Sequence, residues 1–348
     1  MISHEKWGEY MGKDVFLYTL ENSAGMKVSI TNFGCAVTCI KYKGIDVALG
    51  FDNLDAYINQ TCYLGVVVGR CANRIKDGRF ELNGLEFMVG KNLGNNHLHG
   101  GFKGFDKAIW DIDAADQMDN SSVRFSYLSK DGEEGYPGNL TTKVTYTLTE
   151  ECELKIEYEA VTDQATIVNL TNHTYFNLSG HDSGTIENQW VKIYSDYFLE
   201  SDKECVPTGI VRSVSGTPLD FREFHKIGER IGCDDNQLKY AGGYDHNYNL
   251  DQTGDSMLRL AAEAFDDRTA IQMKVYTTMP GIQFYSGNSL NEISKGKDGA
   301  VYGWRCGFCL ETQFYPDAVH HQDFLQPVLL PGQVYRHTTV YQLMYKLS

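Results

Sequence analysis

The sequence predicts an all-β protein, a large antiparallel β-sandwich or set of packed sheets with few short helices. Three observations carry that expectation. Apolar residues alternate with period two through most of the chain, two-residue turn signals separate the alternating runs, and helical periodicity is scarce. The composition agrees: 34 glycines, 22 tyrosines and 17 phenylalanines among 348 residues favour turns and strands.

The runs follow one another in order. RFELNGLEF (79–87) reads as a hairpin whose Asn83-Gly84 turn suits positive φ angles. In KVTYTLTEECELKIEYEA (143–160), Val144, Tyr146 and Leu148 share one face. Leu154, Ile156 and Tyr158 do the same after the polar Glu150-Glu151 turn, giving an antiparallel hairpin with one wet face. SMLRLAAEAFDDRTAIQMKVYT (256–277) gives another pair about Asp266-Asp267, and QVYRHTTVYQLMY (333–345) one more strand. The best helical pattern is DFREFHKIGERI (220–231), with Asp220 as N-cap and Phe221, Phe224, Ile227 and Ile231 on one side. Without a Pro-rich or Gly/Ser-rich linker or a fixed-period repeat, residues 1–348 read as a single domain.

Charge and cysteine usage narrow the function. Lys+Arg number 31 against Asp+Glu 46, a net charge of −15 that repels phosphate backbones and anionic lipid, so neither nucleic acid nor membrane is expected as a partner. No apolar run approaches the ~18 residues of a membrane span. Nine cysteines, an odd number dispersed in apolar runs (Cys35, Cys39, Cys152), read as small hydrophobes in a reducing compartment. Met-Ile-Ser-His-Glu-Lys-Trp has no signal-peptide character, so the expected location is cytoplasmic. Cys306 and Cys309 form a lone CxxC between Trp304 and Leu310, read as core packing.

Nucleotide, zinc-protease and nucleophile-elbow signatures do not occur, so no cofactor is expected. His97 and His99 form an HxH pair that alternation would put on one face. The following Gly100, Gly101, Phe102 and Lys103 bring no carboxylate ligand, and no metal is expected.

Several polar-aromatic segments interrupt the alternation: GRCANRI (69–75), NNHLHGGFKGFD (95–106), NLTNHTYFNLSG (169–180), GGYDHNYNL (242–250), TTMPGIQFYSGN (277–288) and FCLETQFYPDAVH (308–320). Aromatic faces beside carboxylates, amides and a guanidinium suit a pyranose, whose rim of hydroxyls surrounds an apolar face. Glu311 follows the apolar Phe308–Leu310 stretch; it is either a half-buried base with a raised pKa or a surface glutamate at a strand end. His173 is either a proton donor or a core histidine satisfied by backbone. Arg74 and Asp245 fit an ion pair as well as ligand contacts, and His99 fits a tight turn as well as a binding position.

Together these blocks, with DGEEGYPG (131–138), resemble the aldose 1-epimerase (galactose mutarotase) family over nearly the whole chain; LHGG, NHTYFNL and ETQ-x-x-PDA are the specific ones. The resemblance implies a galactose mutarotase-like β-supersandwich and cofactor-free interconversion of α and β anomers of free hexoses such as galactose and glucose. It implies His173 as general acid and Glu311 as general base. It further implies sugar contacts at Asn73, Arg74, His99, Asp245 and Gln283, with Tyr175 as an additional candidate. Met279 stands where some relatives have Gln. The competing readings are a glycoside hydrolase pairing Glu311 with Asp245 and a non-catalytic sugar-binding β-sandwich. A monomer and a homodimer are equally compatible with the sequence.

Overall fold

A computed structural model describes residues 1–116, 120–250, 256–290 and 295–346. Three antiparallel sheets organise the chain. The largest has nine strands, in spatial order Asp111–Asp116, Ser121–Ser129, Leu140–Leu148, Glu153–Thr162, Tyr335–Tyr345, Ile271–Thr277, Arg259–Phe265, Trp190–Ile193 and His225–Lys226. An N-terminal sheet of five strands runs from Ile2 to Asp46. A second five-stranded sheet is ordered Pro207–Ser213, Tyr197–Ser201, Asp245–Asn249, Gly281–Tyr285, Cys309–Gln313.

One core joins all three sheets. Strict alternation buries Leu140, Val144, Tyr146 and Leu148 on one face of their strand, opposite Ile156 and Tyr158 on the next. That face meets the N-terminal sheet, where the Tyr18 and Phe125 rings meet edge-on at 5.7 Å and the Tyr146 hydroxyl donates to the Cys35 carbonyl at 2.7 Å. It meets the second five-stranded sheet as well, the Tyr341 hydroxyl donating to the Leu310 carbonyl at 3.0 Å. Tyr146 and Tyr341 each bring a large apolar ring into the core and satisfy the hydroxyl on a neighbouring backbone carbonyl, whereas the buried Tyr158 hydroxyl has no partner.

The hairpins form where the alternation predicts them. Asn83 (φ 53°) and Gly84 (φ 75°) make the two-residue turn between Arg79–Leu82 and Leu85–Met88. Asp266 closes the turn before Ile271–Thr277 by accepting the Arg268 and Thr269 amides.

The predicted helix over 220–231 does not form. His225–Lys226 pairs with Trp190–Val191 at the edge of the large sheet, and the Asp220 carboxylate is held by the Arg222 guanidinium instead of capping. One helical turn remains, Ile227–Arg230. Phe221, Ile227 and Ile231 are buried as their spacing implies, so the pattern recorded burial while a free sheet edge decided the backbone. Helices form instead at Leu54–Asn59, capped by Asn53, and at Asn236–Ala241, capped by Asp235 and ended by Gly242 at φ 69°. All nine cysteines are free thiols; Cys306 and Cys309 are buried, whereas Cys39 is only half-buried.

Candidate functional site

At one side of the second five-stranded sheet a cavity of about 360 Å³ opens, lined by polar groups from that sheet (Asp245, Tyr285, Glu311) and from segments outside it (Asn73, Arg74, His99, His173). Strand Cys309–Gln313 places Glu311 at its centre, across from Gln283 in register, with a residual exposure of only 2%. The carboxyl is therefore far more buried than the half-buried position its sequence context suggested. From the opposite side comes His173, just past the two-residue strand Thr171–Asn172. Its backbone is fixed at both ends: its N–H donates to the Val66 carbonyl at 2.9 Å, and its carbonyl accepts from Gly65 at 3.0 Å. Nε2 of His173 then lies 3.5 Å from Oε1 of Glu311.

Asn73 and His99 both adopt positive φ, 64° and 52°, and lock together. The Asn73 amide donates to Nδ1 of His99 at 3.2 Å, and the His99 amide donates to the Asn73 carbonyl at 3.1 Å. Gly100 allows this turn: at φ 90°, a Cβ there would come within 1.7 Å of the Gly69 carbonyl oxygen. The positive φ at His99 also breaks the alternation expected for the HxH pair. His97 is buried elsewhere, donating from Nδ1 to the Gly90 carbonyl at 2.7 Å and accepting the Tyr136 hydroxyl at Nε2 at 2.5 Å. His99 instead lines the cavity.

Arg74 donates to Oδ2 of Asp245 at 3.1 Å and to Oδ1 of Asn73 at 3.3 Å. Oδ1 of Asp245 accepts from the Gln283 amide at 2.6 Å, and Gln283 accepts in turn from Gln313. The Tyr175 hydroxyl donates to the Cys62 carbonyl at 3.0 Å, while its ring lies 5.0 Å from that of His173. Of the eight residues anticipated from the sequence, seven line the cavity; Gln283 lies behind Asp245 and holds it. Tyr63, Tyr240, Tyr285, Cys62 and Cys205 line it too and were not anticipated. Period two along GIQFY, carried from Gln283, points to Tyr285; nothing local distinguishes Tyr63 or Cys205.

Burial dominates the electrostatics. It pushes the Glu311 carboxyl well above the ordinary carboxylate range, with Asp245 adding to the effect and Arg74 opposing it. It lowers His173 to about 4, against the opposing pull of its own backbone carbonyl and Asp245. It also holds His99 well below the usual range, helped by His173 and Arg74. Oε2 of Glu311 and Nε of Arg74, on two residues that line the cavity, are buried without a hydrogen-bond partner.

His99, His173 and Glu311 bring nitrogen and oxygen atoms within 4.8 Å of one another, the one such group among the described residues. Their chemistry does not fit a metal. Nδ1 of His99 already accepts the Asn73 amide, so the neutral ring carries its proton on Nε2 and offers no free lone pair. A larger open cleft of about 510 Å³ beside Lys192, Tyr194 and Arg222 brings no comparable acid–base pair together.

Comparison with known proteins decides the family. A family model described as aldose 1-epimerase matches residues 17–342. The chain belongs to the aldose 1-epimerase family. It is 44% identical to the galactose mutarotase of Bos taurus over 319 residues, covering 90% of each chain. It is 37% identical to the aldose 1-epimerase of Escherichia coli K12 over 340 residues, covering 96% of each. The crystal structure of galactose 1-epimerase from Lactobacillus acidophilus superposes with a TM-score of 0.90 at 30% identity, covering 100% of this chain and 99% of that one. In this aldose 1-epimerase family member Met279 is buried and lies outside the cavity lining.

Proposed function

We propose that this chain interconverts the α and β anomers of free aldoses, hexoses such as galactose and glucose among them, with Glu311 as general base and His173 as general acid. The observation that carries the reading is the facing of one carboxyl and one imidazole, 3.5 Å apart, across the floor of a sugar-sized cavity. Mutarotation opens the hemiacetal, turns the aldehyde and closes the ring. Glu311 takes the proton of the anomeric hydroxyl while His173 gives one to the ring oxygen. After rotation about the bond to the neighbouring carbon, both transfers run backwards.

The proton count of the pair suits this cycle. Burial raises the Glu311 carboxyl and lowers His173, favouring the neutral form of each, so the pair is suited to hold one exchangeable proton between them. Sugar hydroxyls donating to the carboxylate, with Arg74 nearby, favour moving that proton to His173. No proton enters or leaves from solvent. Positioned acid and base groups each contribute ~10²–10⁴-fold, enough for a reaction that already proceeds in water.

The hydrolase alternative would need Asp245 as second carboxyl, but both its oxygens are engaged, by Arg74 and Gln283. The span of the family match supports one catalytic domain over the chain, and nine free thiols support a cytoplasmic location. The test is polarimetric equilibration of freshly dissolved α-galactose. Glu311→Gln is expected to lose at least about 10³-fold in kcat while still binding sugar, and His173→Asn to fall comparably. A wild-type rate in either variant overturns the assignment of that residue.

A further inference from the structure

We propose that Cys309 is a positioning residue for His173, its sulfur holding Nδ1 so that Nε2 faces Glu311 and the sugar, without the stabilisation of the imidazolium that an oxygen acceptor would give. The inference rests on the reading of His173 as the acid.

Cys309 and Glu311 are two residues apart on one strand and so point to the same face. Between them they bracket the imidazole: Sγ of Cys309 lies 3.5 Å from Nδ1, and Oε1 of Glu311 lies 3.5 Å from Nε2. The thiol is fully buried, and burial pushes it well above its usual range, so it stays protonated. With the His173 backbone fixed by Val66 and Gly65, ring rotation is the freedom left to control. Tyr63, Tyr175, Tyr285 and His99 pack around the ring, and the titratable carboxyls facing it are Glu311, at Nε2, and Asp245.

The choice of sulfur has a chemical consequence. A carboxylate at Nδ1 stabilises an imidazolium and makes it a better base and a weaker acid. Sulfur is a weak acceptor. It orients the ring while leaving the cation costly, which suits a proton donor aimed at a poorly basic ether oxygen. Throughout the cycle Nδ1 keeps its proton against the sulfur and Nε2 alone exchanges one.

The test measures kcat and KM of anomer equilibration across pH for wild type, Cys309→Ser and Cys309→Asp. A stronger acceptor raises whichever constants of the His173–Glu311 pair involve the imidazolium, so the profile moves to higher pH and the optimum rate falls. Cys309→Ser is expected to move it by about half a pH unit with a roughly two- to fivefold loss in kcat, and Cys309→Asp by more than about one unit with at least a tenfold loss. KM stays within about twofold, since no sugar contact is lost. Should the aspartate variant fail to fold, the serine variant decides alone. A serine profile superimposing on wild type, or moving to lower pH, overturns the proposal. If His173→Asn is inactive while Cys309→Ser leaves the profile in place, the positioning role alone falls; a wild-type rate in His173→Asn removes the acid reading itself.

Discussion

Two buried polar pockets draw on the same two segments of chain, and they differ in what is left unoccupied. GRCANRI supplies Arg70 to one and Arg74 to the other; the HxH pair supplies His97 and His99. Arg70, 1% exposed, directs Nε, Nη1 and Nη2 to Ser129, Pro137, Gly138, Thr166 and Lys130, mostly backbone carbonyls, and its guanidinium lies 5.6 Å from the centre of the Tyr136 ring. Tyr136 in turn caps His97, whose other nitrogen is also taken. Every ring nitrogen and guanidinium arm there has a partner. Around the cavity, Arg74 keeps a buried Nε free and Glu311 a buried Oε2 free. Burial alone does not separate a structural charge from a functional one; unfilled hydrogen-bonding capacity on residues that line a cavity does.

The sharpest way to break that contrast is to remove each arginine. Arg70→Met leaves several buried carbonyls without donors, and about 3–5 kcal/mol of stability is expected to go. Denaturant unfolding reads this directly, and the folded fraction should keep its KM. Arg74→Met is expected to do the reverse. Its stability loss should be smaller than that of Arg70→Met, about 1–3 kcal/mol because Asp245 loses its cation but keeps the Gln283 amide and borders the cavity, while KM for galactose rises roughly 10–100-fold, as loss of a charged hydrogen bond to a ligand implies. If Arg74→Met unfolds as readily as Arg70→Met, unfilled capacity is no guide to function here.

The sequence carried the first half of this contrast better than the second. Period two over 143–160 and the Asn83-Gly84 turn are local signals, so the strands and hairpins could be read from them. The residue pattern leaves Glu311, which follows an apolar run, and His173, set among Asn, Thr and Tyr, each open to a structural reading; the motifs NHTYF and ETQ, through the family resemblance, single them out. What joins them is not local: the 3.5 Å approach depends on strand Cys309–Gln313 meeting a loop that hydrogen-bonds to residues 65 and 66. The same limit explains the failures. Nothing in DFREFHKIGERI records the open edge at Trp190–Val191 that turns two of its residues into strand. Nothing in GIQFY records that the Gln283 amide is engaged by Asp245. The opposite roles of His97 and His99 turn on one positive φ, which their neighbours Gly100 and Gly101 hint at but do not assign.

That last pair gives the smallest effect and the finest test. Burial lowers His97 to about 4, with the Gly90 carbonyl opposing. In the unfolded chain the same ring takes its proton near pH 6.5. Between these values the unfolded state binds more protons, so stability falls as pH falls through that window. One such histidine should cost about 2 kcal/mol by pH 5 and level off at about 3 below pH 4. His173, His246 and His337 are lowered in the same way and contribute to the same slope. The difference between wild type and His97→Gln therefore isolates the single ring. The glutamine amide can still donate towards Gly90 and accept from Tyr136, but it does not titrate. Its unfolding free energy should lose about 2 kcal/mol less than wild type between pH 7 and pH 5, with mutarotation at pH 7 unchanged. Parallel stability curves would mean that His97 takes up its proton as readily in the folded protein as in the unfolded chain, and the contrast with His99 would then have to rest on something other than a satisfied, neutral ring.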